Sequence, residues 1–319
     1  MTYKIFIDGA EGTTGLKIHK YFEKRDDVQV LAIEESKRKD LDERLKMIKQ
    51  ADLSFLCLPD AAAREIAAAA PKECRILDTS TAHRTDPEWV YGMPEISAEQ
   101  RENIRTSNRV AVPGCHASGV ILLTMPLIRS GVVSADYPFA AFSLTGYSGG
   151  GKKMIADYEA GNVSRSPRQY GIAQHHKHLP EIVKVTGMSS APAFMPVVAD
   201  YFKGMEVTVP LKGTAVSASD DAELNDILRE KGPKAAVEAA LGKAYAGQNF
   251  VSVVDSIDEN GFIAADRMAS SNRVEIAVEG NDENILLVAV YDNLGKGASG
   301  AAVQNMNIML GIDETKGLI

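Results

Sequence analysis

The sequence predicts an α/β protein: a Rossmann-type, doubly wound parallel sheet first, then a second domain of different strand character. Three observations carry this. Short apolar runs alternate with helical patterns from Lys4 to Asp78, the order that gives parallel strands with helices on both faces. A glycine-rich turn, Gly9-Ala10-Glu11-Gly12-Thr13-Thr14-Gly15, follows the first of those runs, where a phosphate can rest on a helix N-terminus. Between Phe139 and Tyr291 the pattern changes to alternating runs such as Met205–Val209, Arg273–Val278 and Ile285–Val290, which suit a sheet covered on one face. The chain's 319 residues also exceed one ordinary core, which makes two domains the default.

Lys4-Ile5-Phe6-Ile7-Asp8 is the first strand, and the glycine turn carries it into the helical pattern Leu16–Phe22. The glycines let the backbone turn tightly and approach a pyrophosphate. Their spacing is G-x-x-G-x-x-G rather than the common G-x-G-x-x-G, so position after the first strand carries the reading. The second strand, Val28–Ile33, ends at Glu34-Glu35-Ser36-Lys37-Arg38-Lys39. An acidic residue there binds a ribose 2′-hydroxyl, whereas basic residues accommodate a 2′-phosphate. Ser36, Lys37 and Arg38 favour NADP(H), the alternative being a solvated charge run. The third strand, Leu53–Leu58, ends at Pro59-Asp60 before an alanine-rich helix, Ala61–Ala70, and Cys57 reads as core. The fourth, Arg75–Asp78, leads into Thr79-Ser80-Thr81-Ala82-His83-Arg84. Ligands in such sheets gather at the carboxyl ends of the strands. The glycine turn, Pro59, Ser80–Arg84 and Cys115 are all expected there.

Cys115 lies in Val112-Pro113-Gly114-Cys115-His116-Ala117-Ser118-Gly119, ahead of apolar Val120-Ile121-Leu122-Leu123. Pro113-Gly114 reads as a tight turn, and the residues after it read as the opening of a buried helix. A cysteine there meets backbone N–H groups and the positive end of the helix dipole, both of which stabilise a thiolate. The alternative is a small buried hydrophobe at a strand end.

Thirty-five Lys and Arg against 43 Asp and Glu give a formal net charge of −8, which argues against a nucleic-acid or anionic-membrane partner. Three cysteines without framework spacing fit a reducing compartment. No apolar stretch reaches a membrane span, and Met1-Thr2-Tyr3-Lys4-Ile5 runs directly into a strand. The expectation is a cytoplasmic protein with no signal peptide.

Several segments together resemble the N-acetyl-γ-glutamyl-phosphate reductases of arginine biosynthesis, especially their shorter form. They are Asp8–Gly15, Asp78–Arg84, Val90-Tyr91-Gly92-Met93-Pro94-Glu95, Val112–Ala117, Gly146-Tyr147-Ser148-Gly149-Gly150-Gly151-Lys152-Lys153, His176-Lys177-His178-Leu179-Pro180-Glu181, and Asn293-Leu294-Gly295-Lys296-Gly297-Ala298-Ser299-Gly300. The glycine turn alone also suits aspartate-semialdehyde dehydrogenase. The resemblance implies a semialdehyde dehydrogenase-like enzyme. Its NADP-binding domain is residues 1–117 with the C-terminal helix at about 297–319, and an α+β catalytic and oligomerisation domain is residues 118–296. It implies a homo-oligomer, a tetramer. Cofactor contacts are expected from Gly9, Glu11, Gly12, Thr13, Thr14, Gly15, Ser36, Arg38, Ser80 and Asn293.

The implied reaction is reductive dephosphorylation of an acyl phosphate by NADPH, releasing inorganic phosphate. Cys115 attacks the acyl carbon and forms a thioester, hydride follows, and the semialdehyde leaves. The oxyanion needs a donor, for which backbone N–H groups at the start of the Cys115 helix serve. Histidine has a suitable pKa for the acid/base, and the family segment places that role on His178. His116 adjoins Cys115 but is expected to point elsewhere, and no role is assigned to His175 or His176. Three close histidines also suit a metal, yet no acidic or cysteine partner has matching spacing, so no metal is expected. Arg84, with Ser80 nearby, is the first choice for the substrate's anions and Arg165 and Arg168 are secondary choices; Ser148 is a further candidate, and Glu181 either binds substrate or orients a histidine. Asn293–Gly300 opens the last helix, either approaching the nicotinamide or packing helix on sheet. Competing readings are a related reductase of aspartyl or aminoadipyl phosphates, a Cys/His hydrolase or acyltransferase, and a non-catalytic dinucleotide sensor.

Overall fold

The computed structural model describes residues 2–318. They form two compact units, residues 2–113 with 298–318, and residues 114–297. In chain order the first unit opens with β1 (Tyr3–Asp8), α1 (Thr13–Phe22), β2 (Val28–Leu31), α2 (Leu41–Gln50), β3 (Leu53–Leu56) and α3 (Asp60–Ala69). It continues through β4 (Ile76–Asp78), β5 (Val90–Tyr91), α4 (Ala98–Thr106) and β6 (Arg109–Ala111). The second unit comprises α5 (Cys115–Arg129), β7 (Ala140–Gly146), α6 (Gly151–Glu159), β8 (Arg168–Gln169), α7 (Leu179–Thr186), β9 (Ala193–Ala199) and β10 (Met205–Lys212). After these come α8 (Ala222–Lys231), α9 (Pro233–Tyr245), β11 (Val251–Val253), β12 (Val274–Gly280) and β13 (Asn284–Tyr291). The chain then returns to the first unit as α10 (Gly300–Met309).

The first unit is a wholly parallel six-stranded sheet in the order β2-β1-β3-β4-β6-β5. Its apolar strands are buried from both faces, as parallel sheets require. Phe6, Leu56 and Ile76 meet Ile48 of α2 and Ile66 of α3 on one side. Helix α10 is buried along its whole length despite three amides. All three bond internally, with only Asn305 Oδ1 left without a partner among them: Gln304 donates to Glu95 at 2.9 Å, Asn305 to the Gly92 carbonyl at 2.8 Å, and Asn307 accepts from Arg25 at 2.8 Å.

The second unit is a mixed seven-stranded sheet, β11-β12-β13-β10-β7-β9-β8. Two of its pairings, β11 with β12 and β7 with β9, are parallel. Helix α5 packs across β10 and β13 and against α7. The division falls after Pro113, so Cys115–Ala117, expected with the first domain, belong to the second unit. They are the first turn of α5 and move with the helix that buries them. Pro126 lies inside that helix and has no N–H to give the Leu122 carbonyl. The Tyr245 hydroxyl of α9 supplies the missing donor at 2.6 Å.

Candidate active site

In the first unit the glycine turn runs from the carboxyl end of β1 into α1. Gly9 has φ +82, and a Cβ there would lie 2.3 Å from the Cys57 carbonyl oxygen, so no side chain fits. The Gly12 N–H donates to the Gly9 carbonyl at 2.9 Å, closing the turn, and Thr13, Thr14 and Gly15 form the first turn of α1. No side chain caps that helix and no acid lies in its first turn, which leaves its N-terminal amides and dipole to an anion. Beside the turn is a cavity of about 410 Å³ lined by Asp8, Gly9, Glu11, Gly12, Arg38 and Arg44 among others. Ser36 donates to Glu34 at 2.6 Å. Arg38 bridges Glu11 and Glu35 at 2.8 and 2.9 Å. Arg44 donates to the Arg38 carbonyl at 2.8 Å and stands 3.3 Å from Asp8 Oδ1. Burial pushes the Asp8 carboxyl up to about 6 against the pull of Arg44, and its Oδ2 is buried without a hydrogen-bond partner. The tight turn, the uncapped helix and a cavity whose apolar wall of Val30, Leu31 and Ile33 adjoins charged Arg38 and Arg44 fit a dinucleotide.

Two residues of the first unit expected at ligands, Ser80 and Arg84, have partners within the protein. Ser80 gives its hydroxyl to Asp78 at 2.8 Å, and Asp78 also pairs with His83 at 2.6 Å. Arg84 donates from Nε to the Val112 carbonyl at 2.9 Å and from Nη2 to the Thr79 carbonyl at 3.2 Å. Both residues brace the loop after β4. Cys57, expected in the core, is half-buried and lines the cavity beside the glycine turn; burial pushes its thiol up to about 12.

In the second unit Cys115 is half-buried at the first position of α5, behind an extended Gly114. No side-chain cap and no acid of the helix's own first turn compete there. A thiolate at this position would be stabilised by the first-turn amides, which have no acceptor inside the helix. Two groups fix the turn. The Gly114 N–H donates to Glu181 Oε2 at 3.1 Å. The Tyr291 hydroxyl donates to the Cys115 carbonyl at 2.6 Å and accepts the Gly119 N–H at 3.1 Å. Gly297 lies against the cysteine, where a Cβ would come 3.0 Å from that of Cys115.

The histidines gather around this turn. His178, just ahead of α7, is buried, with Nε2 3.9 Å from Glu181 Oε1, and its N–H donates to His176 Nδ1 at 3.2 Å. The His116 ring centre is 5.6 Å from those of both His176 and His178. His116, expected to point elsewhere than its neighbour Cys115, has both ring nitrogens on other residues. It is buried in this cluster with Nδ1 2.6 Å from the Ser143 hydroxyl and Nε2 2.6 Å from that of Tyr170. Burial, then His176 and Lys177, bring His116 down to about 3; burial and Lys177 bring His176 down to about 4. Both are neutral at pH 7. Tyr170 and Tyr291 are held well above the ordinary tyrosine range, by burial first and by the Cys115 sulfur second. Among the described residues no group of three or more His, Cys, Asp or Glu is arranged to hold a metal.

Other expected ligand-facing residues are spent inside the protein. Asn293, expected at the cofactor, donates to Ser148 Oγ at 3.0 Å and accepts from the Gly204 N–H at 2.9 Å. Ser148, expected at the substrate, is thus buried as its partner. Arg165 is 72 % exposed and paired with Asp200 at 2.7 Å. His175 is exposed. No local sequence signal marks Ser143, Tyr170 or Tyr291, which reach the turn only through sheet register. Asp8 and Arg44 had one: an acid closing β1 beside a glycine turn, and a base one turn into the next helix.

Residues 4–104 match the semialdehyde dehydrogenase NAD-binding domain, and residues 115–293 the semialdehyde dehydrogenase dimerisation domain. The chain is 40% identical over 321 residues to N-acetyl-gamma-glutamyl-phosphate reductase 2 of Pseudomonas putida, covering 98% of each chain. It is 41% identical over 330 residues to the Nostoc protein of the same name, covering 99% of each, and 40% identical over 322 residues to the Brucella ovis reductase, covering 98% of this chain and 100% of that one. Its fold matches aspartate semialdehyde dehydrogenase II of Vibrio cholerae with a TM-score of 0.70 at 18% identity, over 98% of this chain and 99% of that one. The Candida albicans aspartate semialdehyde dehydrogenase solved with NADP has a TM-score of 0.67 at 14% identity, over 97% and 99%.

Proposed function

The chain belongs to the semialdehyde dehydrogenase family of oxidoreductases and, within it, to the N-acetyl-gamma-glutamyl-phosphate reductases, and on that premise we propose that it converts N-acetyl-L-glutamyl 5-phosphate to the 5-semialdehyde with NADPH, through a thioester on Cys115, in arginine biosynthesis. The observation that carries this reading is Cys115 at the uncapped start of α5, with its turn held by Glu181 and Tyr291 and a buried histidine cluster beside it.

The residues divide the work. His178 takes the thiol proton, and the Cys115 sulfur bonds to the acyl carbon while the C–O bond to phosphate breaks. First-turn amides of α5 steady the oxyanion. NADPH held at the glycine turn would supply the hydride that the thioester needs. His178 then manages the proton as the carbon–sulfur bond breaks, freeing the aldehyde and restoring the cysteine. Glu181 holds the turn by its bond to Gly114 and lies 3.9 Å from His178. His116 and His176, both pushed to low pKa, are unsuited to exchanging that proton near neutrality. Gly9, Gly12, Thr13, Thr14 and Gly15 hold the pyrophosphate, and Ser36 and Arg38 the 2′-phosphate, exchanging their present acidic partners for it. The match to a dimerisation domain supports a homo-oligomer, with a tetramer expected.

The reverse reaction tests the reading. NADP⁺, N-acetylglutamate semialdehyde and inorganic phosphate should give phosphate-dependent NADPH with the wild type and none with Cys115→Ala. Full activity in that variant overturns the covalent mechanism. Turnover of aspartate semialdehyde in place of the acetylated substrate overturns the substrate assignment.

A further inference from the structure

Arg168 is a guanidinium prepared for an anion. It opens β8, and its Nη2 donates to the Tyr158 hydroxyl at 3.0 Å with the guanidinium carbon 5.2 Å from the centre of that ring. Tyr158 is itself buried and stacked on Tyr147, ring centres 4.7 Å apart and planes within 8°. A charged group clamped this way has lost its freedom before any ligand arrives. Among the described residues no carboxylate pairs with it, and its Nε is buried with no hydrogen-bond partner. A buried, unmatched guanidinium donor is costly unless something supplies an acceptor.

Sheet register turns this group toward the Cys115 site. Arg168 is opposite Val198, and Val198 is opposite Thr145. One step along, the Tyr170 N–H donates to the Pro196 carbonyl, and Pro196 is opposite Ser143. The two rows are two residues apart on each strand, so their side chains share a face. Ser143 and Tyr170 are the two hydroxyls that hold His116, the residue after Cys115. Arg168 thus stands about 7 Å along that face from Tyr170, one pleat repeat farther out.

We propose that Arg168 binds the α-carboxylate of the substrate and sets the enzyme's preference for a carboxylate-bearing acyl chain. This rests on the reductase reading of the Cys115 site. The acyl phosphate is bonded to the carbon that Cys115 attacks, so its oxygens belong at the cysteine. The α-carboxylate is at the opposite end of the glutamyl chain and needs a cation displaced along the same face. Arg165, the neighbouring candidate, is exposed and already paired with Asp200.

The test uses the intact enzyme in the reverse direction, where the aldehyde and phosphate are separate substrates. N-acetylglutamate semialdehyde is compared with 4-acetamidobutanal, the same aldehyde without its carboxylate. Wild type should favour the first in kcat/KM by roughly 10–100-fold, the worth of a charge-assisted contact. In Arg168→Met that preference should fall to within about threefold, through a raised KM for N-acetylglutamate semialdehyde, with the KM for phosphate unmoved. Arg168→Lys, which keeps the charge without the fork, should fall between and serves as the deciding variant if Arg168→Met does not fold. A raised KM for phosphate instead assigns the group to the phosphate and overturns the proposal. An undiminished preference in the variants, or none in the wild type, overturns it as well. Failure of wild type to turn over N-acetylglutamate semialdehyde with phosphate would count against the function itself.

Discussion

The Tyr291 hydroxyl donates to the Cys115 carbonyl at 2.6 Å while accepting the Gly119 N–H at 3.1 Å. One side chain from the end of β13 thereby ties both ends of the first turn of α5. Tyr291→Phe keeps the ring and removes the tie. The variant should fold and lose about 1–3 kcal/mol of stability, the cost of unsatisfied buried groups, with a lower kcat at unchanged NADP⁺ affinity. Urea denaturation and steady-state kinetics read the two effects.

Gly297 has no room for a methyl group, since its Cβ would meet that of Cys115 at 3.0 Å. Gly297→Ala should shift the cysteine by a few tenths of an ångström. A misplaced nucleophile costs rate rather than binding, so kcat should fall at least ~10-fold while the KM values hold. Unchanged kcat would mean that the turn yields freely.

The two low-pKa histidines make acid a threat to the second unit. An unfolded histidine titrates near 6.5, whereas His116 and His176 in the fold titrate near 3 and 4. Between those values the unfolded chain binds more protons. Their contribution is therefore complete above pH 6.5 and is lost as pH falls toward 3. Urea unfolding of the wild type should weaken steadily from pH 7 to pH 4, and His176→Asn should flatten part of that slope.

Asp8 works in the opposite sense. Its carboxyl titrates near 6 in the fold against 3.8 ordinarily. In that window the folded state binds the extra proton, so its contribution is complete below pH 3.8 and disappears as pH rises through 6. Asp8→Asn does not titrate. Its stability relative to wild type should rise between pH 4 and pH 8, measured by denaturation at each pH.

The position of Cys115 was legible because a local rule governs it: a Pro-Gly turn ahead of an apolar run starts a helix, and Cys115 is the first residue after that turn. The same holds for the glycine turn after β1. Tyr170, Ser143 and Tyr291 were illegible because pairing across the mixed sheet delivers them, and register between distant strands leaves no short-range signature. The partners of Asn293 and Ser148 were hidden for a related reason. Polar residues in glycine-rich segments read as ligand-facing, but here they satisfy each other in the interior. Arg84 likewise donates to the Thr79 carbonyl of its own loop and to the Val112 carbonyl after β6.

Pro126 and Tyr245 have a consequence for how this helix can vary. The proline creates a carbonyl without a donor, and the tyrosine exists to answer it. Replace the proline with alanine and the amide returns, so phenylalanine at 245 becomes tolerable; replace the tyrosine first and the same phenylalanine is a defect. The order in which the two positions change therefore decides whether a lineage passes through a weakened protein, and the pair is inherited most safely together.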